Sequence, residues 1–124
     1  MFGIFGPSQE IQRLDRALRA AGLHPRAVPL AVKLTTVKQL KEANFGRAPD
    51  PSALAAAAEL LAYCALGRDE FAEVNGARQT GEIEARLTDA LETGYGLDAR
   101  LVILALHAGL VHQGVVERYQ LAME

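Results

Sequence analysis

At 124 residues, half of them hydrophobic and 23% charged, the chain can bury one ordinary core and is too apolar for a disordered or collagenous protein. Its single cysteine, Cys64, excludes an internal disulfide and a metal site built from cysteines alone, and makes a reducing, cytoplasmic setting the default. The formal net charge of -2 lacks the basic excess of an obligate nucleic-acid binder, yet it hides a polarised chain: eight Lys or Arg against three Asp or Glu over residues 1–47, then five against twelve over 48–124.

Alternating apolar and polar runs bounded by turn residues are missing, so the expected fold is all-α: a compact bundle of five to six helices forming one domain over residues 7–124. Residues 1–6 read as an apolar tail, MFGIFG, with no basic leader and no long apolar segment of a secretory signal. Phe2, Ile4 and Phe5 make that tail a candidate partner-binding element, unless it folds back on its own domain.

The first helix is expected from Pro7, a residue tolerated in an opening turn. Ile11, Leu14, Leu18 and Ala21 recur at helical spacing, Glu10, Arg13, Asp15, Arg16 and Arg19 face water, and Gly22 supplies a left-handed stop. After an irregular turn from Pro25, a second helix runs from Pro29 with Leu30, Leu34, Val37 and Leu40 as its buried stripe. Lys33, Lys38 and Lys41 then make its outer side basic.

The segment NFGRAPDPS is the clearest loop and marks the change of charge sign. Asp50 is an expected N-cap, and the following Pro51 presets the first helical dihedral. The helix over about 51–66 carries only Glu59 as a charge, which marks it as a central post. Asp69 is the expected cap of a short helix bearing Phe71 and Val74. The stretch NGARQTG breaks or bends the chain before an amphipathic helix with Ile83, Leu87 and Leu91 on one face and a Glu82–Arg86 surface pair. Asp98 reads as the cap of a second central apolar helix over about 99–108, and a last helix from about Gln113 places Val115, Val116 and Tyr119 inward.

Two segments are built alike. In LRAAGLHPRAV and LHAGLVHQGVV, Leu18, Gly22, Leu23 and Val28 correspond in spacing to Ala105, Gly109, Leu110 and Val115. His24 and His112 follow their corners at equivalent places, where an imidazole can accept from the free N–H groups of the next helix. This spacing resembles that of helix-turn-helix DNA-binding units over about twenty residues, and the resemblance implies phosphate contacts from Arg26, Lys33, Lys38 and Lys41.

His107 and His112, five apart, turn away from each other on a helix and make no ready metal pair; His107 is expected half-buried and hydrogen-bonded. Cys64 sits in LLAYCALG, where a thiol behaves as an apolar filler, and only a packed His107 would make it a nucleophile. No phosphate-binding glycine loop, nucleophile elbow, HExxH or calcium loop is present, so no cofactor is expected.

The leading expectation is therefore a non-enzymatic protein–protein interaction or adaptor module, homodimeric and, from its Ala-, Arg- and Leu-rich usage, bacterial. It would act through Phe2, Ile4 and Phe5 of the tail and through Arg26, Lys33, Lys38 and Lys41. A DNA-binding module using the basic N-terminal half is the alternative, and an enzyme built on Cys64 and His107 is third.

Overall fold

The computed structural model describes residues 9–121. Six helices follow one another: α1 (Gln9–Ala20), α2 (Leu30–Ala43), α3 (Pro51–Leu66), α4 (Arg68–Thr93), α5 (Leu97–His107) and α6 (Gln113–Tyr119). A single 3-10 turn, Pro25–Ala27, lies between α1 and α2, and no strand occurs among the described residues. The tail and the start expected at Pro7 lie outside the described residues.

Four consecutive alanines let neighbours approach α3 closely, and the structure surrounds it with α1, α4 and α5, with a lighter contact to α2. Leu54, Ala57, Ala58, Leu60, Leu61, Ala62, Tyr63 and Cys64 are all buried. Burying a leucine contributes on the order of 2 kcal/mol, so this helix carries much of the core. Asp50 holds the N-cap position but its carboxylate makes no capping bond; the preset dihedral of Pro51 starts the helix instead. As expected, α5 packs along α3 with Ala99, Leu101, Val102 and Ala105 buried. Its other edge, Arg100, Ile103 and His107, is open to solvent.

In α1, Ile11, Leu14 and Leu18 are buried as their spacing requires. Glu10 and Asp15, however, turn toward α2 rather than to water: Lys41 Nζ lies 3.4 Å from Glu10 Oε2, and Lys33 Nζ lies 2.9 Å from Asp15 Oδ1. These two pairs fix α1 and α2 as antiparallel neighbours and set the rotational phase of α2. Its buried residues are Val32, Lys33, Thr36, Val37 and Leu40, with Thr36 donating its hydroxyl to the Val32 carbonyl at 2.8 Å. Leu30 and Leu34, expected inside, are 59% and 53% exposed, and Lys33, expected outside, is only 9% exposed.

A left-handed Gly67 (φ 87°) separates α3 from α4 and occupies the N-cap position expected for Asp69, whose side chain points to water. Gly76 (φ 88°, ψ 165°) breaks α4 within the predicted NGARQTG bend. Ile83 and Leu87 are buried as expected, but Ala90 rather than Leu91 continues that face. Arg86 pairs not with Glu82 but with Asp98, in a two-pronged contact of 2.8 and 3.1 Å, and also donates to the Ala56 carbonyl at 3.2 Å. Asp98 thus locks α4 to α5 instead of capping α5, and Glu82 pairs with Arg78.

The repeated corner is real. At the first, Leu23 N–H donates to Leu18 O (2.9 Å) and Gly22 N–H to Arg19 O (3.0 Å); at the second, Leu110 N–H donates to Ala105 O (2.9 Å) and Gly109 N–H to Leu106 O (3.1 Å). This is the Schellman pattern, and it needs the left-handed φ of 97° at Gly22 and 72° at Gly109. Both imidazoles cap as expected: His24 Nδ1 accepts from Arg26 N–H at 3.0 Å and His112 Nδ1 from Gly114 N–H at 2.9 Å. Val28 and Val115 then close the corners as buried residues.

Candidate functional site

The rotation of α2 creates the surface that matters most. On a helix, residues 30, 34, 38 and 41 fall along one edge, so Leu30, Leu34, Lys38 and Lys41 form a single apolar-to-basic stripe facing outward. Between this stripe and the start of α1 runs a groove of about 330 Å³, floored by Ile11, Leu34 and Val37 and rimmed by Glu10, Lys38 and Lys41. Its walls are mainly apolar, and both long cations contribute their stems as well as their charges.

Of the sequence-predicted cations, Arg26 and Lys38 are exposed and make no ion pair among the described residues. Lys41 is half-buried and paired with Glu10, and Lys33 is buried against Asp15. The four residues named for phosphate contact therefore do not share one outward face. Two of them are spent on holding α1 against α2. Phe2, Ile4 and Phe5 lie outside the described residues.

A second constellation escaped the sequence altogether. Glu84 on α4 accepts the hydroxyl of Tyr63 at 2.7 Å and lies 3.1 Å from Arg68 Nε and 3.8 Å from Arg118 Nε, so one carboxylate ties together α3, both halves of α4 and α6. Arg118 also lies over the Tyr119 ring, 5.8 Å from its centroid. The ring of Tyr63 is fully buried and meets Phe71 edge-on at 5.6 Å. Burial, then the hydrogen bond to Glu84, holds the Tyr63 phenol protonated well above its ordinary range. Beside this knot a depression of about 360 Å³ opens between Arg68, His112 and Arg118. Its guanidinium charges already face Glu84, with Asp69 and Glu70 at the rim, and its chief work is to fasten α6 to the bundle.

Cys64 is fully buried and its thiol is pushed up to about 12 by burial alone, so it has the character of a core filler rather than of a nucleophile. Its neighbour in the corner is the backbone of His112, whose N–H donates to the Cys64 carbonyl at 2.6 Å. His107, expected half-buried, is exposed beside Arg100 and Ile103. Among the described residues no three His, Cys, Asp or Glu side chains gather as metal ligands, and no helix is long and apolar enough to cross a membrane. No protein family, curated protein or solved structure matches the chain.

Proposed function

We propose that the protein is a non-enzymatic interaction module that binds a protein partner through the outer edge of α2. The observation that carries this reading is the exposure of Leu30 (59%) and Leu34 (53%) on a helix whose other large apolar residues, Val32, Val37 and Leu40, are buried. Apolar anchors spaced four apart and flanked by Lys38 and Arg26 suit an amphipathic partner helix with acidic residues beside its own apolar stripe. The test compares proteins retained from the source cells by the natural chain and by Leu34→Glu. A partner with an acidic amphipathic segment, lost in the variant and weakened by salt, supports the reading. Retention that ignores both Leu34 and salt removes it.

A second copy of the chain is the other partner in view, because charge is segregated. Arg13, Arg16, Arg19, Arg26 and Lys38 stand unpaired among the described residues on the N-terminal half, and Glu70, Glu73, Asp89 and Glu92 do so on α4. Such faces attract each other at low ionic strength and are screened beyond about 8 Å at physiological salt. Sedimentation at two salt concentrations tests this. A dimer that weakens with salt is expected, and a monomer throughout removes it.

A further inference from the structure

A cavity of about 440 Å³ lies where α1 meets the start of α3, lined by Arg13, Arg16 and Ala17 of α1 and by Pro49, Pro51 and Leu54. It shares no lining residue with the α2 groove, so its occupation is independent of any partner on that edge. Residues 13, 16 and 17 fall on one face of α1 because they are three and four apart. The floor is apolar, and its pieces are already fixed. Leu54 and Pro49 are buried, both prolines lock their own φ, and Asn44 Nδ2 donates to the Ala48 carbonyl at 2.8 Å, pinning the turn one residue before Pro49. Because α1 and α3 also pack along each other, a ligand entering here orders little that is not ordered already.

The rim sets this cavity apart from the others described above. Arg13 and Arg16 are exposed, and neither makes an ion pair among the described residues. No acidic side chain lines the cavity: Asp50, between the two prolines in sequence, is not part of the wall, and Asp15 of α1 is held by Lys33. In the α2 groove, by contrast, Lys41 already faces Glu10, and beside α6 Arg118 faces Glu84. Side chains three apart on a helix stand about 5–6 Å apart at Cβ, near enough for two guanidiniums to close on one anionic group. Each guanidinium presents a planar fork that matches carboxylate and phosphate oxygens, while its aliphatic stem extends the apolar wall.

We propose that this cavity binds a small anionic amphiphile, its carboxylate or phosphate head between Arg13 and Arg16 and its apolar body against Ala17, Pro49, Pro51 and Leu54. The volume falls within the range of about 300–1,000 Å³ usual for small-molecule sites, and a mostly apolar lining with a few convergent charges is their usual chemistry.

Octanoate, octyl phosphate, octan-1-ol and acetate, titrated into the full-length protein at concentrations where sedimentation shows a monomer, test this by calorimetry and by amide chemical shifts. At least one of octanoate and octyl phosphate is expected to bind once per chain, with the largest shifts at residues 13–17 and 51–54; the tighter of the two names the head. Octanol lacks the head and acetate lacks the body, so both are expected to bind at least about tenfold more weakly. Arg13→Gln and Arg16→Gln, at exposed positions that leave the helical circular dichroism intact, are each expected to weaken the anionic probe about tenfold. Arg100→Gln, which removes the same charge from an exposed position on α5, leaves it unchanged. Absence of saturable binding by both anionic probes overturns the proposal, as does octanol or acetate binding as tightly as they do. An affinity that ignores Arg13 and Arg16, or shifts gathered on another surface, overturns it too. So does a hexaglutamate peptide that matches octanoate, because it assigns the two arginines to a polyanionic partner and leaves the apolar floor without a role.

Discussion

The two corners share a local code and differ in what surrounds them. Around Gly22, α4 closes in: a Cβ there would lie 2.8 Å from Val74 Cγ2, and Asn75 Nδ2 donates to the Ala21 carbonyl at 3.0 Å. Around Gly109 nothing lies within 4 Å of the same position, and that corner is held from beyond the turn, by the His112 N–H on the Cys64 carbonyl and the His112 ring against Gly67. Sequence writes the turn, and tertiary neighbours decide how replaceable each residue of it is.

The largest expected effect concerns the anchor of the second corner. Cys64 is pushed from an ordinary 9.0 to about 12 in the fold, so the folded state binds the thiol proton more tightly than the unfolded chain. Its contribution is complete below pH 9, falls as pH rises from about 9 to about 12, and amounts to about 4 kcal/mol over that window. Urea unfolding between pH 8 and 11 checks this, with Cys64→Ala expected to flatten the decline. An unchanged slope in the variant assigns the alkaline loss elsewhere.

Next comes the contrast of the glycines. Gly22→Ala is expected to cost about 2–4 kcal/mol, from left-handed strain plus the collision with Val74, and Gly109→Ala only about 1–2 kcal/mol, from strain alone. The double variant Gly22→Ala with Val74→Ala should bring the first close to the second; equal costs for the two single variants would break the distinction. Asn75→Ala, which removes one bond to the first corner and one to the Phe71 carbonyl at 3.1 Å, should cost about 1 kcal/mol. The smallest effect belongs to the caps: His24→Ala and His112→Ala should each cost about 0.5–1 kcal/mol in thermal unfolding. The His112 variant is expected to be the worse of the two, because its ring also packs on Gly67.

Legibility followed the range of the interaction. The alanine-rich α3, the glycine stops, the matched corners and their histidine caps depend on residues close together in the chain, and the sequence shows them plainly. The phase of α2 does not. Apolar periodicity put Leu30 and Leu34 inside, whereas the reach of Lys33 to Asp15 and of Lys41 to Glu10, across two helices, turned them out. Asp98 looked like a cap because its partner Arg86 is twelve residues away, and Glu84 carried no local signal because Tyr63 and Arg118 come to it from other helices. The candidate surface arose where these long-range pairs overruled the pattern, which is why its anchors were read as core.

Gly76 settles a register problem for α4. Phe71 is buried in the first half of that element, and Thr80, Ile83, Leu87 and Ala90 in the second. In an unbroken helix Phe71 and Thr80 would point roughly half a turn apart, since nine residues advance about 900°. One side chain or the other would then be stranded in water. The discontinuity acts as a coupling between two screws cut at different starting angles, letting each half meet its own neighbours. A residue inserted beside Gly76 can be absorbed there, whereas the same insertion between Ile83 and Leu87 would rotate every later contact off the core.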